Sequence, residues 1–253
     1  MRVAVTDYDG TLYQNGEVGK ESLRAIHHWR KKGNVFGIAT GRDLSMLTGE
    51  LLRWNIPYDF AICDNGAIIY DHALNVLAST SIADDVAKRV MQHAAGMASL
   101  HYLLSSHGSV ALFQRGGDSW YTKMGLPYVE IGFDQAMAAT DLQQISFAYG
   151  GREECALWVE RLNADFCDCL GVHMNISSVD LTAPGIDKAT GISEVLKVRG
   201  WSEDGLLVIG DADNDAPMLQ RFMGFSVPHA SEAARRASRA AYATVGEMLE
   251  DLW

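Results

Sequence analysis

The stretch Val3-Ala4-Val5-Thr6-Asp7-Tyr8-Asp9-Gly10-Thr11-Leu12 decides the fold of this chain. Val3-Ala4-Val5 is an apolar, β-branched run that reads as a buried strand, and Gly10 and Thr11 are turn residues. Asp7 and Asp9 therefore fall at the carboxyl end of a strand, the edge at which open α/β sheets place their ligands. If the strand ends at Asp7, the turn brings Asp9 around beside it. One carboxylate is then free to attack or to bind metal, and the other to move a proton.

Composition narrows what this motif can serve. At 253 residues the chain suits one large or two modest domains, and 48% hydrophobic with 21% charged residues is ordinary for a globular protein. The net charge of −11 argues against a nucleic-acid surface. Arg30-Lys31-Lys32 and Arg235-Arg236 are the nearest approach to basic runs, and both fall in expected helices where a solvated face explains them. No apolar stretch approaches the roughly 20 residues of a membrane span, and the N-terminus lacks the pattern of a secretory signal. Four cysteines, three of them at Cys155, Cys167 and Cys169, suggest free thiols in a reducing cytoplasm. Cys167-x-Cys169 lacks the spacing of a zinc site, and without secretion the sequon Asn175-Ile176-Ser177 carries no meaning.

Outward from the first strand, the pattern alternates. A helical segment over about 19–32 leads to the run Val35-Phe36-Gly37-Ile38-Ala39, which ends at Thr40-Gly41-Arg42. A helix from about Asp43 leads to Phe60-Ala61-Ile62-Cys63, which meets Asp64-Asn65-Gly66. Strands and helices in this order predict an α/β fold with a doubly wound parallel sheet. The middle differs: an amphipathic helix over 82–96, hairpin-like strands at about 100–105 and 109–114, a strand near 145–149, a helix over about 152–168, and the alternating Val172–Ile176. From about 185 the first pattern returns, with a helix over roughly 187–199 and Leu206-Leu207-Val208-Ile209 running into Gly210-Asp211. The simplest organisation is a core of residues 1–79 plus 182–253, interrupted by an inserted α+β domain over 80–181.

The strand ends carry a common chemistry. Asp7, Asp9, Asp211 and Asp215 form an all-oxygen acidic set suited to a hard cation, Mg²⁺ above all. Such a set requires a cation or Lys188 to offset its repulsion. Thr40, Gly41 and Lys188 supply the donors a phosphate needs. Each residue also has a plainer reading: Lys188 as a surface helix residue, Thr40 as a helix cap, Asn214 as an N-cap before Pro217, and Asp213 as solvated.

Taken in order, D-x-D-G-T, a Thr, a Lys and G-D-x-x-N-D resemble the haloacid dehalogenase superfamily of phosphotransferases. The Thr-Gly-Arg, the Asp64-Asn65-Gly66-Ala67 and the long insertion look like its Cof-like branch, whose members carry an α/β cap. Ala189 stands where that branch usually has Gly after the Lys, and Pro228-His229-Ala230 where it often has Asn-Ala. The resemblance implies a phosphatase acting on a small phosphorylated metabolite. Asp7 is then the nucleophile that becomes an aspartyl phosphate, and Asp9 the general acid and base. Mg²⁺ is held by the Asp7 carboxylate, the Asp9 carbonyl, Asp211 and Asp215, with Thr40 and Lys188 stabilising the transferring group. Asn214 orients Lys188 or the substrate, and Gly41, Arg42 and Asn65 bind substrate near its entrance. A phosphomutase on the same scaffold is the nearest alternative, and a receiver-type domain or a non-catalytic phospholigand-binding regulator is more distant. Candidate cap side chains for reaching inward, by charge and strand position, are Arg115, Lys123, His173 and Asn175. Oligomeric state is not legible.

Overall fold

The computed structural model describes residues 1–94, 99–114, 116, 120–166, 168–175 and 177–252. Arg115, Cys167 and Ile176, with the readings attached to them, lie outside the described residues. Val3–Thr6 forms the central strand of an eight-stranded sheet. Val35–Ala39 and Phe60–Cys63 follow in parallel on one side, and Leu207–Gly210, Met223–Ser226 and Ala240–Ala241 on the other. The chain thus winds outward in one direction and later in the other, and the reversal lies between Val3–Thr6 and Leu207–Gly210. Parallel crossovers are almost always right-handed, so winding both ways is what makes the sheet doubly wound. The expected α/β class is observed. Ile68–Asp71 and Val76–Ser79 extend the Phe60–Cys63 edge in antiparallel fashion.

Burial follows from parallel pairing, since both faces of such a sheet are covered. Every residue of Val3–Thr6, Val35–Ala39, Phe60–Cys63 and Leu207–Gly210 is buried. Trp29 and Ile26, from the helix Lys20–Lys31, fill the same core with Met248 and Leu249 of the helix Val245–Asp251.

The middle of the chain builds a second, six-stranded sheet with its own core. Its order is Val129–Glu130, Ser109–Gln114, His101–Ser106, Gln144–Ala148, Ser178–Thr182 and Gly171–Met174, antiparallel except for the first pair. Strand alternation sorts its side chains cleanly. Tyr102, Leu104, Ile145, Phe147, Val179 and Leu181 pack with residues of the helices Asp84–Ala94 and Arg152–Phe166. Ser105, Gln144, Ser146, Ser178 and Asp180, from alternate positions, turn toward the other sheet. Leu103, Val110 and Leu112 form a small apolar contact with Met46 of the helix Leu44–Trp54. The strand Ser178–Thr182 was not anticipated. With only two apolar residues in five, Ser-Val-Asp-Leu-Thr is a faint strand signal, although its alternation is strict.

Candidate active site

The first sheet ends where the motif begins. Thr6 is the last residue of its strand, and Gly10, at φ +83°, turns the chain back so that its N–H donates to the Tyr13 carbonyl at 2.9 Å. A side chain at position 10 would be strained there and would collide with the Asp211 carboxylate. Asp7, buried, stays fixed through its N–H to the Ile209 carbonyl at 2.9 Å.

Lys188 enters from the first residue of the helix Lys188–Arg199, whose N-cap Asp187 accepts from the Thr190 N–H at 2.8 Å. A lysine at a helix N-terminus opposes the dipole, and this one is only 1% exposed. Two carboxylates offset both costs: Nζ donates to Asp7 Oδ1 at 2.6 Å and to Asp215 Oδ1 at 2.5 Å. The surface reading of Lys188 is thereby excluded. Asp215 Oδ2 accepts the backbone N–H groups of Asp211 and Ala212, each at 2.9 Å. Asp211 Oδ1 accepts from the Thr11 hydroxyl at 2.7 Å.

Asp7, Asp211 and Asp215 present oxygens within 4.8 Å of one another. Three carboxylates thus share one ammonium. Burial pushes the Asp7 carboxyl well above the ordinary range; Lys188 opposes this, while Asp215, Asp211 and Asp9 add to it. Burial also raises Asp211. Burial works against the charge on Lys188, but Asp215 and Asp7 outweigh it and hold the ammonium above its usual value. Three carboxylates against one ammonium leave an excess of negative charge, and the donors are hard oxygens, as suits a divalent cation of the Mg²⁺ type. Asp7 Oδ2 and Asp211 Oδ2 have no hydrogen-bond donor among the described residues, whereas both Asp215 oxygens are engaged.

Asp9 takes a different partner. Arg42 Nε and Nη2 donate to its two oxygens, each at 2.7 Å, a planar bidentate pair. The guanidinium lies 4.9 Å from the ring centroid of Tyr8, which stacks on Tyr13 and donates to Glu50 Oε2 at 2.7 Å. Tyr8 and Glu50 are positioning residues that the sequence did not flag. Thr40, buried, accepts the Arg42 N–H at its hydroxyl at 3.1 Å, while the N-cap of the next helix is Asp43, so Thr40 is not that helix's cap.

Asn65 joins the two sheets. Asp64, Asn65 and Gly66 take φ values of 51°, 54° and 111°, a run of left-handed backbone that non-glycine residues rarely adopt. Gly66 is held against the Asp187 carbonyl, which a side chain there would meet at 2.1 Å. So placed, Asn65 donates to Gln144 Oε1 at 2.8 Å and Asp180 Oδ2 at 3.2 Å, and accepts from Asn214 at 3.0 Å. Gln144 in turn donates to the Gly41 carbonyl at 3.1 Å. Asn214 therefore reaches Asn65 and not Lys188, and it lines the cavity where the substrate role expected as its alternative would be exercised. Nor is it a cap: Asp215 precedes the helix Ala216–Arg221. Asp213 is not simply solvated, because Arg152 of the second lobe lies 3.6 Å from it. His229 contacts the Gly10 carbonyl at 2.8 Å, tying its loop to the first motif.

Between the sheets lies a cavity of about 640 Å³. Asp7, Asp9, Thr40, Gly41, Arg42 and Asp211 line its floor, with Asn214 beside them. Asn175 of the second lobe lines its roof as expected, but Lys123 is exposed and His173 turns to Thr182, so neither lines it.

The sequence of residues 4–246 matches the profile of the haloacid dehalogenase-like hydrolases, and the chain belongs to that family. It is similar to 5-amino-6-(5-phospho-D-ribitylamino)uracil phosphatase of Escherichia coli, 22% identical over 94% of this chain and 89% of that protein. Phosphoglycolate phosphatase of Methanopyrus kandleri is 23% identical over 92% and 87%. A haloacid dehalogenase-like hydrolase from B. subtilis shares the fold at TM-score 0.88, with 17% identity and full coverage of both chains. Membership of the family makes the chain a hydrolase, and both of these relatives are named as phosphatases.

Proposed function

We propose that the protein is a Mg²⁺-dependent phosphatase that hydrolyses a small phosphorylated metabolite, such as a sugar phosphate, through an aspartyl phosphate on Asp7. The carrying observation is the buried Asp7 carboxylate on the cavity floor, with Lys188 at 2.6 Å on one oxygen and no donor on the other. A nucleophile needs an available lone pair and a fixed direction, and Asp7 has both.

An Asp7 oxygen attacks phosphorus, the ester P–O bond breaks, and Asp9 gives its proton to the departing oxygen. Asp9 then takes a proton from water, whose oxygen attacks phosphorus, and the Asp7 P–O bond breaks to release phosphate. Arg42 donates to both Asp9 oxygens here, so carrying a proton requires Asp9 to leave that pair. Thr40, the Gly41 backbone and Lys188 stabilise the equatorial oxygens. Mg²⁺ would be held by Asp7, Asp211 and the Asp9 carbonyl, with Asp215 direct or through water. When bound, it screens the approach of one anion to another.

Residues 80–181, on this reading, are a cap that keeps bulk water from the aspartyl phosphate. The cavity volume suits a metabolite rather than a macromolecule. Two relatives are named for different substrates, one with a polyol chain and one with a carboxylate, so their names support the reaction and not one substrate. No helix among the described residues is long and apolar enough to cross a membrane; we infer a cytoplasmic enzyme.

The test is turnover of p-nitrophenyl phosphate with Mg²⁺, after EDTA, and with Ca²⁺, with rapid-quench mass spectrometry of the Asp7 peptide. Phosphate release with Mg²⁺, loss in EDTA, inhibition by Ca²⁺ and a phosphorylated Asp7 are expected. Full activity in chelator overturns the metal, and an unlabelled Asp7 overturns the covalent step. An isomeric sugar phosphate in place of free phosphate would mark a mutase.

A further inference from the structure

The roof of the cavity carries a charge that the chemistry of phosphoryl transfer does not require. Asp180, in the middle of Ser178–Thr182, is 4% exposed and lines the cavity, while its neighbours Val179 and Leu181 face the second core. Its Oδ2 accepts from the Asn65 amide at 3.2 Å and from the Asn175 amide, and the Ser146 hydroxyl also donates to it. Gln144, Ser146, Asn175 and Ser178 surround it with neutral donors and acceptors.

None of the basic side chains described in the cavity lining pairs with Asp180. Among the described residues, the basic side chains lining the cavity are Arg42, Arg152 and His229. Arg42 is bidentate to Asp9, Arg152 lies against Asp213, and His229 contacts the Gly10 carbonyl. A leaving group with a carboxylate or second phosphate would enter a partly desolvated space facing Asp180, and like charges there repel strongly. A hydroxylated chain would find acceptors and donors within reach. Discrimination can be built on a repulsive element as well as on favourable contacts.

We propose that Asp180 is a specificity-determining residue that rejects leaving groups bearing a second anionic group and admits neutral, hydroxyl-rich ones. The proposal rests on the phosphatase reading of the cavity floor, and adds to it the class of leaving group.

D-Glucitol 6-phosphate and 6-phosphogluconate share a six-carbon chain and differ at the far end, CH₂OH against carboxylate. Each is tested as a competitive inhibitor of p-nitrophenyl phosphate hydrolysis at pH 7.5. The acid should have a Ki at least tenfold above that of the polyol. Asp180→Asn, which keeps shape and the two amide contacts, should bring the ratio within about threefold. The ratio is internal to each enzyme, so a general loss of activity cancels. Ser178→Asp adds a second roof carboxylate and should widen the ratio, which keeps the test alive if Asp180→Asn does not fold. A wild-type ratio within threefold, a ratio unchanged in either folded variant, or competition by neither probe overturns the proposal. Absence of p-nitrophenyl phosphate turnover with Mg²⁺ counts instead against the phosphatase reading, and the same ratio is then read by calorimetric binding of the two probes.

Discussion

Beneath the cavity Asp7 and Asp215 hold the ammonium of Lys188 with Asp211 beside them, whereas the roof sets neutral amides and hydroxyls around one carboxylate, Asp180. The floor is anchored by backbone: the Asp7 N–H is pinned to the neighbouring strand, and Asp215 to two main-chain N–H groups. Side chains hold the roof, as Gln144 and Asp180 meet Asn65 across the gap. A buried ion pair loses about 3–5 kcal/mol when one partner is removed, a neutral hydrogen bond about 1 kcal/mol. The residues assigned to the chemistry sit on the costly, backbone-held side, and those assigned to recognition on the cheaper one.

The contrast can be broken in several ways. Asp7→Asn should lower kcat by three orders of magnitude or more, about 4 kcal/mol in activation free energy, with no loss of melting temperature. Retention of more than about a hundredth of wild-type kcat would remove Asp7 from the chemistry. Lys188→Met should destabilise the fold by about 3–4 kcal/mol in urea titration, because two buried carboxylates lose their cation. Adding Asp7→Asn to Lys188→Met should recover part of that loss; strictly additive effects would deny the coupling.

Asp180 makes a pH prediction. Burial lifts its carboxyl to about 6 against the polar contacts from Ser146, Asn65 and Asn175 that lower it. Between pH 4 and 6 the native state holds a proton that the unfolded chain has released, so this contribution to stability is present at low pH and lost as pH rises through 6. Asp180→Asn removes it. The variant's unfolding free energy relative to wild type should therefore grow by about 3 kcal/mol from pH 4 to pH 7. A flat difference would mean that Asp180 is ionised throughout. Smallest of all, Gln144→Ala should cost about 1–2 kcal/mol of stability and change kcat for p-nitrophenyl phosphate less than fivefold. A hundredfold fall in kcat would move Gln144 from roof to reaction.

Legibility from sequence divided along the same line. Val3–Thr6, Val35–Ala39, Phe60–Cys63 and Leu207–Gly210 are continuous apolar runs, as a doubly covered parallel sheet demands, so their polar ends stood out. The roof is antiparallel and half polar. Ser178–Thr182 has two apolar residues, and nothing local says that Asp180 points into a cavity formed with residues more than a hundred positions away. Charge misled for Lys123 and His173, since a basic side chain is as ready to face solvent or a strand neighbour as a ligand. The Asp9–Arg42 pair and its support from Tyr8 and Glu50 depend on tertiary packing of a helix on a turn, which spacing does not encode.

The seat of Gly66 against the Asp187 carbonyl has a consequence for how this architecture tolerates change. The helix carrying Lys188 passes so near that a Cβ at Gly191 would also meet the Gly66 Cα, at 2.9 Å. Two glycines, 125 positions apart, thus face each other at one point, where the strap bearing Asn65 rests on the helix bearing Lys188. Saturation libraries at either position should return glycine almost alone among active clones, and alanine at one should not be rescued by any residue at the other. Were the segment 80–181 exchanged for that of a distant relative, this backbone contact would be the joint to transplant intact, since it sets the height of the amide against the lysine before any cap is added.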